Sequence, residues 1–414
     1  MKNTYDVIVI GLGIMGAAAL WRVAAKCDRA LGIDASGPTH CYGSSQGSSR
    51  IFRRAYWEGN KYLPLLQHAD LLWQELEHLL QKQIIFRTRG IFIGPQSSRV
   101  VAGSIETARQ GRIEHEIWTP SETKNVFPAF SVPEGMQTVH EPGAYAISAQ
   151  VARLGMLDEA VRRGATTEFG NTVVDIKNQG AEVLVTTRNS RSYRARAVVV
   201  TTGPWIASEL MPELYGLLEP RRVPIYWFKP KIDSEKLFSR ERFPVFLYEC
   251  PNGSILYGMP SIVSDEPGVK IGFHNRQQSF ARPDWKSVAV QDSSVKEITE
   301  AVEALFPKLE RSPVKEKNCF YTMSPDESFL IGKSEALKST YFASACSGHG
   351  FKFAPAIGDA LANVAVGQQP FVSLIIFRTP IQLNIACFLK VPARLSCAFH
   401  ALQKSPEPGG RGAS

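Results

Sequence analysis

The sequence predicts an α/β protein with some α+β elements, in which a Rossmann-like nucleotide-binding domain is interleaved with a second domain built on a large mixed β-sheet. Two observations support this prediction. A glycine-rich turn follows an apolar strand at the start of the chain, and many widely spaced β-type segments occur in residues 222–321. The 414 residues allow two or three domain-sized cores, so one cofactor domain and one substrate domain are expected.

The first strand and turn have the order of a dinucleotide-binding βαβ unit. An apolar strand at 7–10 leads into Gly11, Gly13 and Gly16, and an alanine-rich helix follows. These glycines permit a tight turn, a close approach to a pyrophosphate, and close packing of the helix on the strand. Asp34 ends a second apolar strand about 20 residues later, where a carboxylate can bind the hydroxyls of an adenosine ribose. The segment predicts an adenine-dinucleotide site, and chance glycine spacing is the alternative.

Charge and cysteine content narrow the class of protein. The net charge is +8, but residues 371–414 contain five basic residues and one acidic residue, so half of the excess lies there. The net charge of the rest of the chain is modest, and no basic motif interleaved with aromatic residues occurs in it. We therefore expect this charge to steer a small anionic substrate and not to bind nucleic acid. The seven scattered cysteines and the N-terminal core strand indicate a reducing, cytoplasmic setting. The eight histidines lack metal-ligand spacing, so we expect no metal site.

A loop rich in glycine and serine, at 40–49, follows the second strand. Arg50 and Arg53 come directly after this loop, at a spacing of one helical turn that would let them share a face. The position of the loop beside the dinucleotide turn favours contact with the cofactor or an anion. An ordinary surface turn is the alternative.

The rest of the pattern predicts helices and strands along the chain. Helices are expected at 62–80, 100–110, 148–163 and 351–366, and strands at 89–94, 172–175, 195–200, 223–229, 244–249, 253–258 and 269–274. Proline-containing breaks fall between 118 and 133. The strand at 195–200 runs into Gly203-Pro-Trp205, which predicts either another backbone approach to the cofactor or a plain turn. A further strand, from 341, enters a second glycine turn at 348–350, so two glycine turns would bracket one cofactor.

Six blocks of the sequence together resemble the family of monomeric sarcosine oxidase, N-methyltryptophan oxidase and pipecolate oxidase. They are residues 11–34, 43–53, 257–260, 270–274, 319–330 and 347–353, and they occur in the family's order at the family's spacings. The resemblance covers about residues 4–378. It implies FAD, not NAD, attached covalently through its 8α carbon to Cys319. It also implies an FAD domain assembled from residues 1–85, 148–218 and 322–378, and a substrate domain from 86–147 and 219–321.

The resemblance also implies an activity. Members of this family transfer a hydride equivalent from a secondary α-amino acid to the flavin, release an imine that hydrolyses, and reduce O₂ to H₂O₂. By resemblance, Arg53 and Lys352 bind the substrate carboxylate. Arg50 lies over the flavin and assists its attachment, and Lys270 activates O₂. The remaining implied residues are Tyr257 and His274 in the pocket, Tyr321 near the amine and, as cofactor contacts, Gly11, Gly13, Ile14, Met15, Gly16, Asp34, Ser44, Ser45, Ser49, Arg50, Val173, Trp205, Cys319, Gly348, Gly350, Phe351 and Lys352.

The chain departs from the family pattern at several positions. Ser45 and Gln46 stand where the family often has two histidines, and Leu247 stands where a methionine often packs, which leaves the side chain of the substrate open. Residues 379–414, with Cys387 and Cys397, form an atypical extension. We interpret it as packed or frayed, with a peripheral membrane contact as the alternative, because polar residues interrupt it too often for a membrane span.

We therefore expect an FAD-dependent oxidase of N-methyl or cyclic secondary α-amino acids, monomeric, with a small amino acid and O₂ as partners. Two alternatives stay open. A dehydrogenase would pass electrons to a quinone or an electron-transfer protein, and a non-catalytic flavoprotein would keep the fold as a sensor or binding module. The presence of Arg53, Lys352, Lys270 and Cys319 favours an enzyme. An isolated strand lysine or histidine would face solvent, which is the alternative for Lys270 and His274.

Overall fold

The three-dimensional structure is a computed structural model that describes residues 3–40, 42–208, 210–274, 276, 278–279 and 289–371. The predicted extension 379–414 and Cys41 lie outside these residues. The helices are α1 (Ile14–Val23), α2 (Leu63–Leu80), α3 (Arg99–Gly111), α4 (Pro120–Val126), α5 (Ala149–Arg162), α6 (Asp292–Leu305) and α7 (Ala354–Ala365). The strands are β1 (Thr4–Ile10), β2 (Ala30–Ile33), β3 (Ser49–Phe52), β4 (Ile85–Phe86), β5 (Gly90–Pro95), β6 (Glu116–Trp118), β7 (Met136–Glu141), β8 (Tyr145–Ser148), β9 (Thr166–Glu168), β10 (Val173–Gln179), β11 (Glu182–Thr187), β12 (Ser192–Val200), β13 (Glu219–Phe228), β14 (Val245–Glu249), β15 (Ile255–Met259), β16 (Val269–Phe273), β17 (Gln278–Ser279), β18 (Lys315–Met323), β19 (Leu330–Lys333) and β20 (Thr340–Ser344).

An eight-stranded sheet carries the first glycine turn. Its strand order is β10-β11-β12-β1-β2-β9, and β20 pairs with both β12 and β19. Strand β1 runs parallel to β2 and β12, with Ile10 opposite Ile33 and Val200. Because the carboxyl ends of parallel strands meet at one edge, the residues that follow them, Gly11 and Asp34 among them, come together there.

Different apolar layers cover the two faces of this sheet. Val7 and Val9 of β1 pack with the helices, whereas the alternate residues Ile8 and Ile10 pack with the β10–β11 hairpin and the segment after β12. Helices α1 and α7 approach closely because small residues meet between them. A Cβ atom on Gly358 would lie only 2.5 Å from the carbonyl carbon of Ala18, so a larger residue there would separate the two helices.

A nine-stranded sheet forms the second half of the molecule. Its order is β17-β13-β16-β15-β14-β5-β7-β6, and β18 pairs with β13. One face packs under α6 through aromatic residues such as Phe130, Phe243 and Phe306, whose ring centroids are 4.8 to 5.6 Å apart. A small sheet, β3-β8-β4, completes the fold.

The predicted elements are largely confirmed. Each predicted strand coincides with an observed strand, and the helices predicted at 62–80, 100–110 and 148–163 are α2, α3 and α5. The helix predicted from 351 begins instead with a 3₁₀ turn, Phe351–Phe353, before α7. Helices α4 and α6 and strand β18 were not predicted. Helix α4 begins at a proline treated as a break, because Thr119 and Glu122 form reciprocal capping bonds of 3.2 and 2.7 Å.

One local prediction is wrong. The helical spacing of Arg50 and Arg53 does not apply, since Arg50 lies in the extended strand β3 and Arg53 follows its end.

The predicted domain boundaries stay a prediction. The eight-stranded sheet draws on residues 4–33, 166–200 and 330–344, and the nine-stranded sheet on 90–141 and 219–323. None of the helices in the described ranges is long and apolar enough to cross a membrane.

Candidate active site

A cavity of about 800 Å³ is lined by both large sheets and by both glycine turns. This volume falls in the range of small-molecule and cofactor sites, roughly 300–1,000 Å³. The predicted site residues that line it are Gly11, Gly13, Ile14, Met15, Asp34, Ser44, Ser45, Arg50, Arg53, Val173, Trp205, Tyr257, Lys270, His274, Cys319, Tyr321, Gly348, Gly350, Phe351 and Lys352. Segments separated by more than 300 residues therefore meet at one site.

Two residues predicted as cofactor contacts lie behind the cavity wall instead. A Cβ atom on Gly16 would lie 1.8 Å from the carbonyl oxygen of Gly11, so Gly16 lets α1 pack on the turn. Ser49 is fully buried, and its carbonyl oxygen accepts a hydrogen bond of 2.5 Å from Lys270 Nζ. Both residues support others that line the cavity.

The dinucleotide end of the cavity has the predicted form. Gly11 has φ +87°, and a Cβ atom on it would lie 2.7 Å from the carbonyl oxygen of Thr201, so the turn requires glycine. The backbone N–H of Ile14, in the first turn of α1, donates to Ser45 Oγ at 2.9 Å. The carboxylate of Asp34 accepts from Leu12 N–H at 2.6 Å with one oxygen and from Ser36 N–H with the other. Each oxygen keeps a lone pair for a ribose hydroxyl.

Several buried polar atoms in the wall have no hydrogen-bond partner among the described residues. They are His40 Nε2, Thr202 Oγ1, Thr322 Oγ1 and Ser344 Oγ, and all four residues line the cavity. Buried polar groups in native proteins are nearly always paired, so these atoms indicate a polar ligand. A dinucleotide, with hydroxyls, phosphates and ring nitrogens, supplies such partners. The residues present therefore fit FAD.

Arg50 fixes the glycine- and serine-rich loop. Its guanidinium donates to the carbonyl oxygens of Ser44, Gln46 and Ser49 at 2.6 to 2.9 Å. It also lies 5.1 Å from the ring centroid of Phe351 in the second glycine turn. Arg50 thus joins the loop to the opposite end of the described chain, with its positive charge on the cavity.

Arg53 forms a buried ion pair that the sequence did not indicate. Its Nη2 donates to both carboxylate oxygens of Glu58 at 2.7 Å, and its Nη1 donates to the carbonyl oxygen of Ala55. Burial alone would raise the pKa of Glu58, but Arg53, with smaller effects of His349 and Lys352, lowers it to about 2. Glu58 is therefore charged at neutral pH. A carboxylate ligand would have to displace it from Arg53 or share the guanidinium with it.

Lys352 lies beside this pair. Its Nζ donates to the carbonyl oxygen of His349 at 2.8 Å and is 5.0 Å from the ring centroid of Tyr56. Burial, and next the charge of Arg53, lower the pKa of Lys352 to about 7 against the opposing effect of Glu58. Burial also lowers the pKa of His349 to about 3, so this ring is neutral when it bonds the Tyr56 hydroxyl. Lys352 titrates close to physiological pH.

The cavity is also lined by Lys270, Tyr257, Tyr321 and His274. Burial and the charge of Arg50 lower the pKa of Lys270 to about 7. Burial raises the pKa of Tyr257 to about 12, raises that of Tyr321 as well, and lowers that of His274 to about 4. At neutral pH both hydroxyls are therefore protonated and the imidazole is neutral. The solvent-facing alternative for Lys270 and His274 is thus excluded, since both line the cavity and Lys270 is 2% exposed.

The departures from the family pattern also lie at this site. Gln46 is buried, and its Nε2 donates to the carbonyl oxygen of Asn318, the residue before Cys319, at 2.8 Å. Leu247 lines the cavity directly opposite Tyr257 in the β14–β15 pair. Gln46 therefore contacts the strand that carries Cys319, and Leu247 lies on the part of the cavity wall beside Tyr257.

Sequence reasoning missed Glu58, His349 and Glu266. A sequence feature could have indicated Glu58, because it is the acidic residue at the end of a segment of basic and aromatic residues that begins at Arg53. His349 lies inside the second glycine turn, where only the neighbouring residues were assigned roles. Glu266 lies in a loop without a recognisable pattern, and only its burial against Ser49 and Trp227 distinguishes it.

Comparison with known proteins agrees with this geometry. The model of the DAO family, described as FAD-dependent oxidoreductase, matches residues 6–364. The chain belongs to this family of FAD-dependent oxidoreductases. FAD is therefore its cofactor, and the expectation of an enzyme of this class is confirmed.

Individual relatives share most of the chain. It is 32% identical over 367 residues to monomeric sarcosine oxidase of Streptomyces avermitilis, covering 88% of this chain and 94% of the relative. It is also 32% identical over 375 residues to N-methyl-L-tryptophan oxidase of Salmonella heidelberg, covering 90% and 98%. The structure of NikD, an unusual amino acid oxidase essential for nikkomycin biosynthesis, superimposes with a TM-score of 0.77 at 20% identity, covering 88% and 94%. Glycine oxidase of Geobacillus kaustophilus gives 0.73 at 16% identity, covering 90% and 97%. These structures share the fold.

Proposed function

We propose that this enzyme oxidises a small secondary α-amino acid, N-methylated or cyclic, at its C–N bond, and that it reduces O₂ to H₂O₂. The observation that carries the proposal is the buried cationic pair, Arg53 and Lys352, on the wall of the same cavity as the dinucleotide turn. Two buried cations with one internal carboxylate, Glu58, favour an anionic ligand. The names of the two curated relatives support an N-substituted amino acid as that ligand.

The first glycine turn and the end of β2 supply the residues that would hold FAD. Gly11, Gly13 and Ile14 would hold the pyrophosphate at the N-terminus of α1, and Asp34 the ribose. Bound FAD would supply the acceptor for a hydride equivalent from the substrate. We also propose that Cys319 anchors it covalently. Attachment would exchange the thiol S–H bond and one 8α C–H bond of the flavin for an S–C bond, and the two hydrogens and two electrons would pass to O₂ as H₂O₂.

The residues of the chain would orient the substrate. Arg53 and Lys352 would bind its carboxylate while Glu58 moves aside or turns to the substrate ammonium. Neutral His274 would accept a hydrogen bond from the substrate nitrogen and so help to orient its lone pair, which oxidation of a C–N bond needs. The hydroxyls of Tyr257 and Tyr321 would stay protonated, as donors. Lys270, which lines the same cavity, would stabilise the negative charge that develops on O₂.

The proposal is tested by measuring peroxide release and flavin bleaching with sarcosine, an N-methyl aromatic amino acid, pipecolate and proline. We expect peroxide with at least one of them. Bleaching without peroxide would indicate the dehydrogenase, and no bleaching with any would contradict the proposal. Arg54→Met serves as a matched control for Arg53→Met, because Arg54 is the adjacent arginine but pairs with Asp70 and Glu141 away from the cavity wall. Monomeric state and cytoplasmic location stay predictions.

A further inference from the structure

Glu266 carries a buried carboxylate that the proposed reaction does not use. It lies between β15 and β16 and is 8% exposed. Its Oε1 accepts from Ser49 Oγ at 3.1 Å and from Trp227 Nε1 at 3.4 Å. Its Oε2 is buried and has no hydrogen-bond partner within the described part of the chain. A carboxylate is rarely buried in this way without a compensating positive charge.

A candidate for that charge is Lys270, four residues later on β16, on which Glu266 acts electrostatically. Ser49 connects the two groups, since its hydroxyl donates to Glu266 while its carbonyl oxygen accepts from Lys270 Nζ at 2.5 Å. The other ionisable groups that act on Lys270 are Arg50 on β3 and Cys319 on β18. Arg50 donates its hydrogen bonds to the backbone carbonyl oxygens of the loop. Lys270 is the cation on which the charge of Glu266 acts in the opposite sense to burial and Arg50.

The neutral neighbours of Lys270 complete its surroundings. In the sheet register it lies opposite Trp227 of β13 and Met259 of β15, and neither side chain is ionisable. Trp227 also donates to Glu266, so the same strand that flanks the lysine holds the carboxylate. The acid, the indole, the serine and the lysine therefore form one buried cluster, and Lys270 is its member that lines the cavity.

We infer that Glu266 is the counter-ion of Lys270 and acts as a positioning residue, which keeps the side chain of Lys270 protonated and directed at Ser49 beside the cavity. This inference rests on the proposed function, in which protonated Lys270 assists the reduction of O₂. Burial and Arg50 lower the pKa of Lys270 to about 7, and Glu266 is the largest opposing influence. Without Glu266 the lysine would lose its proton at a lower pH and with it the charge that O₂ reduction needs.

The first experiment measures the pH dependence of reoxidation of the substrate-reduced holoenzyme by O₂ in stopped flow. In the parent, the rate falls as pH rises through the pKa of Lys270. Glu266→Gln keeps the size and removes the charge, so its midpoint moves to lower pH by about one unit or more. Well below both midpoints the rates are equal, and well above them the variant is about tenfold slower. Asp265→Asn, which removes the adjacent exposed carboxylate, and Glu266→Asp, which keeps the charge, retain the parent midpoint. Equal slowing at every pH, or an unshifted midpoint, would overturn the inference.

The second experiment needs no turnover. Denaturant unfolding is measured for the parent, Glu266→Gln, Lys270→Met and the double variant. Glu266→Gln lowers the unfolding midpoint of the parent, but it raises that of Lys270→Met, because there it removes an unpaired buried carboxylate. If Glu266→Gln changes the unfolding midpoint equally in the parent and in Lys270→Met, the proposed pairing of Glu266 with Lys270 is wrong. If Lys270→Met leaves reoxidation unchanged, the role of Lys270 in the proposed function fails, while the unfolding result still decides whether Glu266 is its counter-ion.

Discussion

The ion pair of Arg53 and Glu58 allows stability and ligand binding to be separated. We expect Arg53→Met to impair both, because Arg53 neutralises a buried acid and also faces the cavity. The double variant Arg53→Met/Glu58→Gln removes the cation and the acid together. We expect it to recover most of the lost stability but none of the lost affinity for a carboxylate.

The magnitude follows from the burial of the pair. The pKa of Glu58 is lowered from 4.5 to about 2, which corresponds to about 3 kcal/mol in favour of its charged form. Removing one partner of a buried pair costs about 3–5 kcal/mol, and replacing both by neutral groups is often close to neutral. Because the pKa of the folded state is lowered, this stabilisation is present above about pH 4.5 and is lost as pH falls towards 2. Loss of a charged contact to a desolvated carboxylate costs about 2–4 kcal/mol, or roughly 30- to 1,000-fold in Kd.

Two measurements decide this prediction. Denaturant unfolding at pH 7 and pH 3 gives the stability of the parent, both variants and the control Arg54→Met. A titration with acetate, followed by the flavin absorbance, gives the affinity for a carboxylate without an amine. The reasoning is refuted if the double variant binds acetate as tightly as the parent, or if Arg53→Met unfolds at the parent's denaturant concentration.

Three further predictions concern single residues of the cavity. In stopped flow, Lys270→Met should slow reoxidation by O₂ by about 10²-fold, or about 3 kcal/mol. It should slow anaerobic reduction of the flavin by substrate by less than about tenfold. Slow reduction with fast reoxidation would place Lys270 in substrate binding instead. Cys319→Ser should release the flavin into the supernatant on acid denaturation, while the parent retains it in the precipitate; complete release from the parent would contradict covalent attachment. Since the pKa of Lys352 is lowered to about 7, acetate binding should weaken about tenfold per pH unit above pH 7, and Lys352→Met should lack this dependence. A parent affinity that does not change between pH 7 and pH 9 would refute it.

The sequence by itself determined the dinucleotide turn and the acid that follows it. The strand at 7–10, the glycines and Asp34 lie within about 30 residues of one another, and local patterns of this length impose their own geometry. The turn at Gly11 needs a positive φ, which only glycine adopts readily, so the residue type alone predicted the structure. The ordered blocks from 11–34 to 347–353 added the family, which the match over 6–364 confirms.

The tertiary structure decided the electrostatics of the cavity. The pKa values of Lys352, His274 and Lys270 depend mainly on burial, which no sequence spacing reports. Glu58 acts on Lys352, nearly 300 residues away, only because the chain returns to the same cavity wall. Glu266 has no motif, and its contact with Ser49, 217 residues away in the sequence, exists only in the folded chain. Charges act through space, so their effects are known only once distant segments have been brought together.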